Sequence, residues 1–187
     1  MTMPRRLVWA ALLGCRVVAC DPHTDKASHS RTDAVASASQ EMSGPSLFSS
    51  EQLRPALQAL RAKAGGKLLR LEIRARELTL QAEDTSAPGG VVELHYRDGK
   101  VSELEHATLR GKGLLTDNLF DASELKLDGI AELAREAVRR IDAENGSVDM
   151  VLVRRNLPDT EDVRLRVYVT SPRKSGYVDA DHSGQLL

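Results

Sequence analysis

Beyond position 20 the chain has no cysteine and no tryptophan: Cys15, Cys20 and the single tryptophan, Trp9, all lie in the first twenty residues. A domain built from the remainder holds no disulfide, so its core must form by apolar burial alone. Aromatic residues make up only 3% of the sequence. After position 20 they are Phe48, Tyr96, Phe120, Tyr168 and Tyr177, too few for a stacking platform that would bind sugars or bases. An excess of one charge is also missing, with 26 basic and 27 acidic residues. Arg5, Arg6 and Arg16 precede Cys20 and no acid does, so the chain from Cys20 onward carries 23 basic against 27 acidic residues. That net charge of about −4 gives no electrostatic reason to expect nucleic acid as a partner, since phosphate binding needs a concentrated basic surface. Nor is there an apolar run of the ~20 residues a membrane-spanning helix requires. At 187 residues the folded part is one domain or two small repeats, and two large domains are excluded.

What is present begins with an address. Met1 to Arg6 is a short positive segment, and Leu7 to Cys20 is apolar apart from Arg16, the layout of a secretory signal peptide. Two segments resemble a lipobox, the apolar-apolar-small-Cys pattern at which the cysteine receives a diacylglycerol thioether: Leu12-Leu13-Gly14-Cys15 and Val17-Val18-Ala19-Cys20. Polarity changes abruptly to Asp21-Pro22-His23-Thr24-Asp25 after the second, which favours Cys20 as the lipidated residue, with Cys15 as the alternative. This assigns 1–19 as signal peptide and makes the chain a lipoprotein of a bacterial envelope, tethered on its periplasmic face to the inner or the outer membrane. Three acyl chains anchor firmly, at ~0.8 kcal/mol per buried CH₂.

Residues 20–47 read as the lipidated N-terminus and a polar tether rich in Ser, Ala, Thr and Asp, unable to bury enough apolar surface to offset ordering. As a coil of about 25 residues its reach is roughly 25 to 30 Å. His23 and His29 fall here and read as solvated linker residues.

The folded region reads as α+β, two repeated units of one helix packed on a three- to four-stranded antiparallel sheet. In the first unit, 48–110, Leu53, Leu57, Leu60 and Ala64 follow helical spacing between the caps Ser49-Ser50 and the stop Gly65-Gly66, predicting a helix over about 51–64. Pro55 is tolerable only in a first turn, so regular helix is expected to begin there. Leu69, Leu71, Ile73 and Ala75 then alternate with Arg70, Glu72, Arg74 and Arg76, followed by Leu78, Leu80 and Ala82 and by Val92, Leu94 and Tyr96. This is the period of strands with one buried face. Asp98-Gly99 marks a tight hairpin. After a linker, 111–127, the second unit, 128–187, repeats the order. Asp128 caps a helix bearing Ile130, Leu133, Ala134, Ala137, Val138 and Ile141. Strands follow at 148–153, 163–169 and 177–180. Ser86 to Val101 and Ser171 to Leu186 share a serine start, a Pro/Gly turn, a strand and a late glycine, which points to duplication.

The second unit resembles a PepSY-type domain. The matching pieces are the helix Ile130-Ala131-Glu132-Leu133-Ala134-Arg135-Glu136-Ala137, the strand Val163 to Val169, and the ending Tyr177-Val178-Asp179-Ala180-Asp181-His182-Ser183-Gly184-Gln185-Leu186-Leu187. The tandem arrangement is also similar to the β-lactamase inhibitory protein. The resemblance implies a module that binds or restrains an envelope or periplasmic protein, with no catalysis and no cofactor of its own.

Direct chemical signals are few. Asp179, Asp181, Ser183 and Gly184 open like a calcium loop, but the sequence ends before the bidentate glutamate required at the twelfth position, so a turn held by Asp and Ser side chains is expected. His95, His106 and His182 have no metal spacing, and no serine has a nucleophile-elbow glycine pattern. No metal is expected. Gly111-Lys112-Gly113 is a fragment of a phosphate loop without its full glycine spacing. The candidate binding residues are Arg70, Arg74, Arg76, Arg164 and Arg166, on outward faces of strands, where they either meet solvent or dock an acidic protein or anionic lipid. The function expected is a membrane-tethered, non-catalytic protein-binding or inhibitory module. The alternatives are an accessory subunit of an envelope assembly and, less favoured, an envelope hydrolase using His95 or His182.

Overall fold

The computed structural model describes residues 45–109 and 113–187. Cys15, Cys20, His23, His29, the Gly111-Lys112 pair and all of the 20–47 stretch before residue 45 lie outside the described residues. The first half contains helix α1 (Ser50–Ala64) and strands β1 (Leu68–Ile73), β2 (Glu77–Glu83), β3 (Val91–Arg97), β4 (Lys100–Val101) and β5 (Glu105–Ala107). The second contains a single turn of helix, α2 (Leu115–Asn118), then α3 (Ile130–Asp142), β6 (Ser147–Arg155), β7 (Val163–Thr170) and β8 (Ser175–Asp181).

Helix α1 buries Leu53, Ala56, Leu57, Leu60 and Ala64, the stripe its spacing dictates. It differs from expectation at Pro55, which lies inside the helix rather than at its start. A proline there removes one N–H-to-carbonyl bond. Pro55 is exposed, so its ring meets solvent, and the buried stripe opposite offsets the lost bond. Gly65 and Gly66 then turn the chain with φ of 67° and 60°. Only glycine fits at Gly66, since a Cβ there would stand 2.4 Å from the Glu83 carbonyl oxygen. Asp98 (φ 51°) and Gly99 (φ 78°) take the left-handed conformations that a two-residue hairpin turn requires.

Helix α3 buries Ile130, Leu133, Ala134 and Ala137. Asp128 does not cap it. Gly129 occupies the cap position, while Asp128 sits in a 3₁₀ turn, Leu127–Gly129, and pairs with Arg54 of α1. The 3₁₀ turn carries the cap position on to Gly129, which leaves the exposed Asp128 carboxylate to meet Arg54.

Rather than two sheets of three or four strands, the described residues form one antiparallel sheet of eight, in the order β4-β3-β2-β1-β6-β7-β8 with β5 against β3. The joint is β1 on β6, where Leu71, Glu72 and Ile73 face Val153, Leu152 and Val151. Helix α1 is followed by five strands and α3 by three, and the leading strands of the two runs, β1 and β6, are neighbours. The core is continuous as well. Leu94, Leu80, Leu71, Val153, Leu165 and Ala180 form a single row across six strands, all buried in one cluster with the apolar stripes of α1 and α3. Both helices therefore cover the same face. Two further core residues come from stretches assigned to linker and tether. Phe120 is fully buried and exchanges both backbone bonds with Leu68, at 2.8 and 2.9 Å, while buried Leu47 donates its amide to the Ala75 carbonyl. Single apolar residues in polar surroundings carry no period, and nothing in their spacing marks them as core.

Candidate functional site

With α1 and α3 on one face, the side chains that alternate with the core row form a second face. Along one line across the sheet stand His95, Thr79, Glu72, Leu152, Arg166 and Asp179. Neither long helix packs on this face, because strand side chains alternate between the two sides and the helices' partners are all on the other.

The five arginines singled out by the sequence do not gather in one patch. Arg74 follows β1 and is held by Asp149 at 2.8 Å and by the Met150 sulfur at 3.6 Å. Arg76 is exposed in the β1–β2 turn. Arg166 is fixed on three sides: its Nε and Nη2 donate to Asp179 at 2.7 and 2.9 Å, and its guanidinium lies 4.1 Å from the Tyr177 ring centroid. The Asp179 hydrogen bond strengthens its hold on its proton. Arg70 and Arg164 belong to a different line, toward the end where β1 and β7 begin. There the structure adds a residue the sequence reading passed over. Arg154 lies directly opposite Arg164 and, since Leu71 faces Val153, beside Arg70. The expected strand stopped at Val153. β6 runs on to Arg155, and its buried run Val151-Leu152-Val153 hides the alternation that would have placed Arg154.

A groove of roughly 670 Å³ opens over this end of the face, floored by Arg70, Gln81 and Arg154 and flanked by Leu115, Leu157 and Pro158. Arg155 closes one side by donating to the Leu119 carbonyl at 2.8 Å. A small cleft between Leu152, Arg154, Arg164 and Arg166 adjoins it.

His95 occupies the opposite half of the face, bonded through Nδ1 to the Thr79 hydroxyl at 3.1 Å, with Glu93 3.2 Å from Nε2 and Glu77 3.4 Å from Nδ1. His106 approaches the buried Asp84 at 3.3 Å. His182 joins neither set. Its backbone carbonyl accepts from the Lys126 amide at 3.2 Å. The Asp181 carboxylate accepts from the Ser183 hydroxyl and amide and from the Gln185 amide at 2.6, 2.8 and 3.0 Å, the side-chain-held turn expected in place of a calcium loop. The Ser183 hydroxyl is the main cause that keeps this carboxyl below the usual carboxylate range.

These features define an α+β protein with a one-sided antiparallel sheet and a bare polar face. No protein-family model and no curated protein matches the chain. Among solved structures, a candidate lipoprotein from Clostridium difficile 630 is similar, with a TM-score of 0.53 and 12% identity over 79% of this chain and 95% of that one. Such a likeness defines the fold.

Proposed function

We propose that the chain is a lipoprotein anchored at Cys20, or alternatively at Cys15, whose folded region is a non-catalytic module that binds or inhibits an envelope protein on the periplasmic face. The observation that carries the proposal is the one-sided sheet: two helices bury one face, and the other presents ordered arginine, tyrosine and carboxylate side chains with neither long helix over them. The fold shared with a candidate lipoprotein supports the anchored part of the reading, together with the Val17-Val18-Ala19-Cys20 sequence. Among the described residues no helix is long and apolar enough to cross a membrane, so attachment in this reading falls to the lipid. A PepSY-like second half is part of the proposal on the strength of the sequence resemblance of α3 and of the β8 ending, a strand, the Asp181 turn and an Ala180-to-Leu186 bridge.

The module is proposed as non-catalytic because of where its best polar cluster sits. Thr79 lies in the middle of β2, between ladder partners in β1 and β3. Its neighbouring amides are spent in the sheet, leaving no pair of N–H groups to hold an oxyanion.

Mass spectrometry of the mature N-terminus tests the anchor. A diacylglyceryl or triacyl Cys20 peptide is expected, and an unmodified Cys20 peptide together with an unmodified Cys15 would overturn it. Photo-crosslinking in cells from Tyr168 and Tyr177 of the bare face, against Gln58 on the exposed side of α1 as control, tests the binding role. The bare-face positions should trap a protein that Gln58 does not. Equal trapping, or none, would sink the reading.

A further inference from the structure

The geometry points to the groove over Arg70 and Arg154, together with Arg164 in the adjoining cleft, as the docking site for an acidic, leucine-bearing segment of a partner protein, its carboxylates over the arginines and its apolar side chains against Leu115, Leu157 and Pro158. This rests on the protein-binding reading above and specifies the partner's chemistry.

Arg154 and Arg164 are directly opposed across β6 and β7, and Arg70 flanks Arg154 from β1. Like charges placed opposite each other destabilise a sheet, so such a line is a cost to folding unless something answers it. The protein itself answers it incompletely. Among the described residues neither Arg154 nor Arg164 has an ion-pair partner, and the one acceptor beside Arg164 is neutral, the Asn156 amide, whose oxygen comes within 3.1 Å of the guanidinium when the amide is turned over. Asp181 is opposite Arg164 in the register, yet its Oδ1 is engaged by the Ser183 and Gln185 donors of its own turn. Arg70 reaches Glu72 at 2.6 Å through Nη2, while its Nε is buried without any hydrogen-bond partner. That N–H is closed off from solvent, and it is the exposed remainder of the Arg70 side chain that lines the groove.

The dimensions select the occupant. Adjacent strands are ~4.8 Å apart, so three arginines on neighbouring strands span about 10 Å at their backbones, more than one carboxylate or one phosphate headgroup can bridge. Two or three carboxylates spaced along a peptide match it, and guanidinium forks pair bidentately with each. Leu115, Leu157 and Pro158 line the groove beside Arg70 and Arg154 and offer a docked chain apolar contact, and the acid that also lines it, Asp117, stands against three arginines, Arg70, Arg154 and Arg155.

The test uses the mature full-length chain in detergent and a fluorescent eight-residue peptide of alternating Glu and Leu, read by anisotropy at about 50 and 300 mM salt. Saturable binding that weakens at the higher salt is expected, with at least about a tenfold loss in the R154E/R164E variant and none for a Lys-Leu peptide on the wild type. The double substitution reverses the sign of the like-charge pair without removing it, so folding must be shown by circular dichroism to survive. If it does not, R154Q/R164Q is read by the same criterion. Absence of saturable binding, equal affinity in the variant, or displacement of the peptide by mixed micelles of the detergent with phosphatidylglycerol but not with phosphatidylcholine would overturn the inference. Should crosslinking from Tyr168 and Tyr177 still trap a protein in any of these cases, the general binding role stands and only the groove assignment falls.

Discussion

Leucine 53 tests whether the two helix-plus-strand runs are one thermodynamic body. It is fully buried in α1, a helix that packs on β2, β3 and the Leu127–Gly129 turn and is distant from β7 in the sheet order. Leu53→Ala removes three carbons from a closed site and should cost ~3 kcal/mol, within the range found for buried leucines. That is a substantial part of a typical 5 to 15 kcal/mol. If the shared sheet and core make unfolding cooperative, the loss falls on every element that exchanges only by global unfolding. Amide hydrogens of β7, such as those of Leu165 and Val167, should then exchange roughly 100-fold faster, because each 1.4 kcal/mol is a factor of ten. Melting should remain one transition, lower by about 10 °C at the 2 to 4 °C per kcal/mol expected for a chain of this size. Exchange followed peptide by peptide by mass spectrometry reads this directly. Unchanged β6–β8 exchange beside accelerated α1–β3 exchange would refute the continuity argued from the β1–β6 joint.

Three further outcomes follow from local geometry. Gly66→Ala should destabilise by ~2 kcal/mol or more, since it adds a backbone clash to a left-handed φ. Gly89→Ala, at φ 78° with open space around it, should cost only the ~1 to 2 kcal/mol of the conformation itself; equal losses in denaturant melts would contradict this. The carboxyls of Asp84 and Asp181 are held below the ordinary 3.8, chiefly by the hydroxyls of Ser86 and Ser183. Because these native carboxyls bind protons less tightly than in the unfolded chain, the stability they add is present above about pH 4. It is lost as the pH falls below that. The double variant Ser86→Ala/Ser183→Ala should therefore melt lower at pH 7 and show a shallower decline between pH 5 and pH 2 than the parent, and parallel declines would count against the assignment. Finally, Arg166→Lys should loosen the Tyr177 ring even though charge is kept, because an ammonium cannot reproduce both bonds to Asp179 together with the stacked contact. Tyrosine fluorescence anisotropy should fall, and an unchanged signal would mean the stack contributes nothing.

The local elements were legible in the sequence because each has a period. Leu53, Leu57 and Leu60 at helical spacing, Leu78, Leu80 and Ala82 at strand spacing, and the Asp98-Gly99 turn all appear in the structure where patterning puts them. The failures share a cause. Asp128 turned toward Arg54, and Phe120 and Leu47 in the core, each depend on a partner far away in the chain, and Pro55 is tolerated inside α1 because the helix's buried stripe packs on strands distant in sequence. The candidate site was legible in part. The strand-face arginines were visible as alternating charges, but which of them are neutralised was not. Asp149 and Asp179 are the residues that answer Arg74 and Arg166, and neither is adjacent to its partner in sequence.

By itself, then, the sequence determined the α+β class, the absence of any disulfide in the folded region, the two helices with their buried stripes, and the outward-facing arginines, because these follow from residue types and short-range spacing. Tertiary structure alone decided that the two runs share one sheet through β1 and β6, and that Arg154 stands in line with Arg70 and Arg164 and lines a groove with Arg70. Strand pairing brings together residues some eighty positions apart, and no local pattern records which edge meets which.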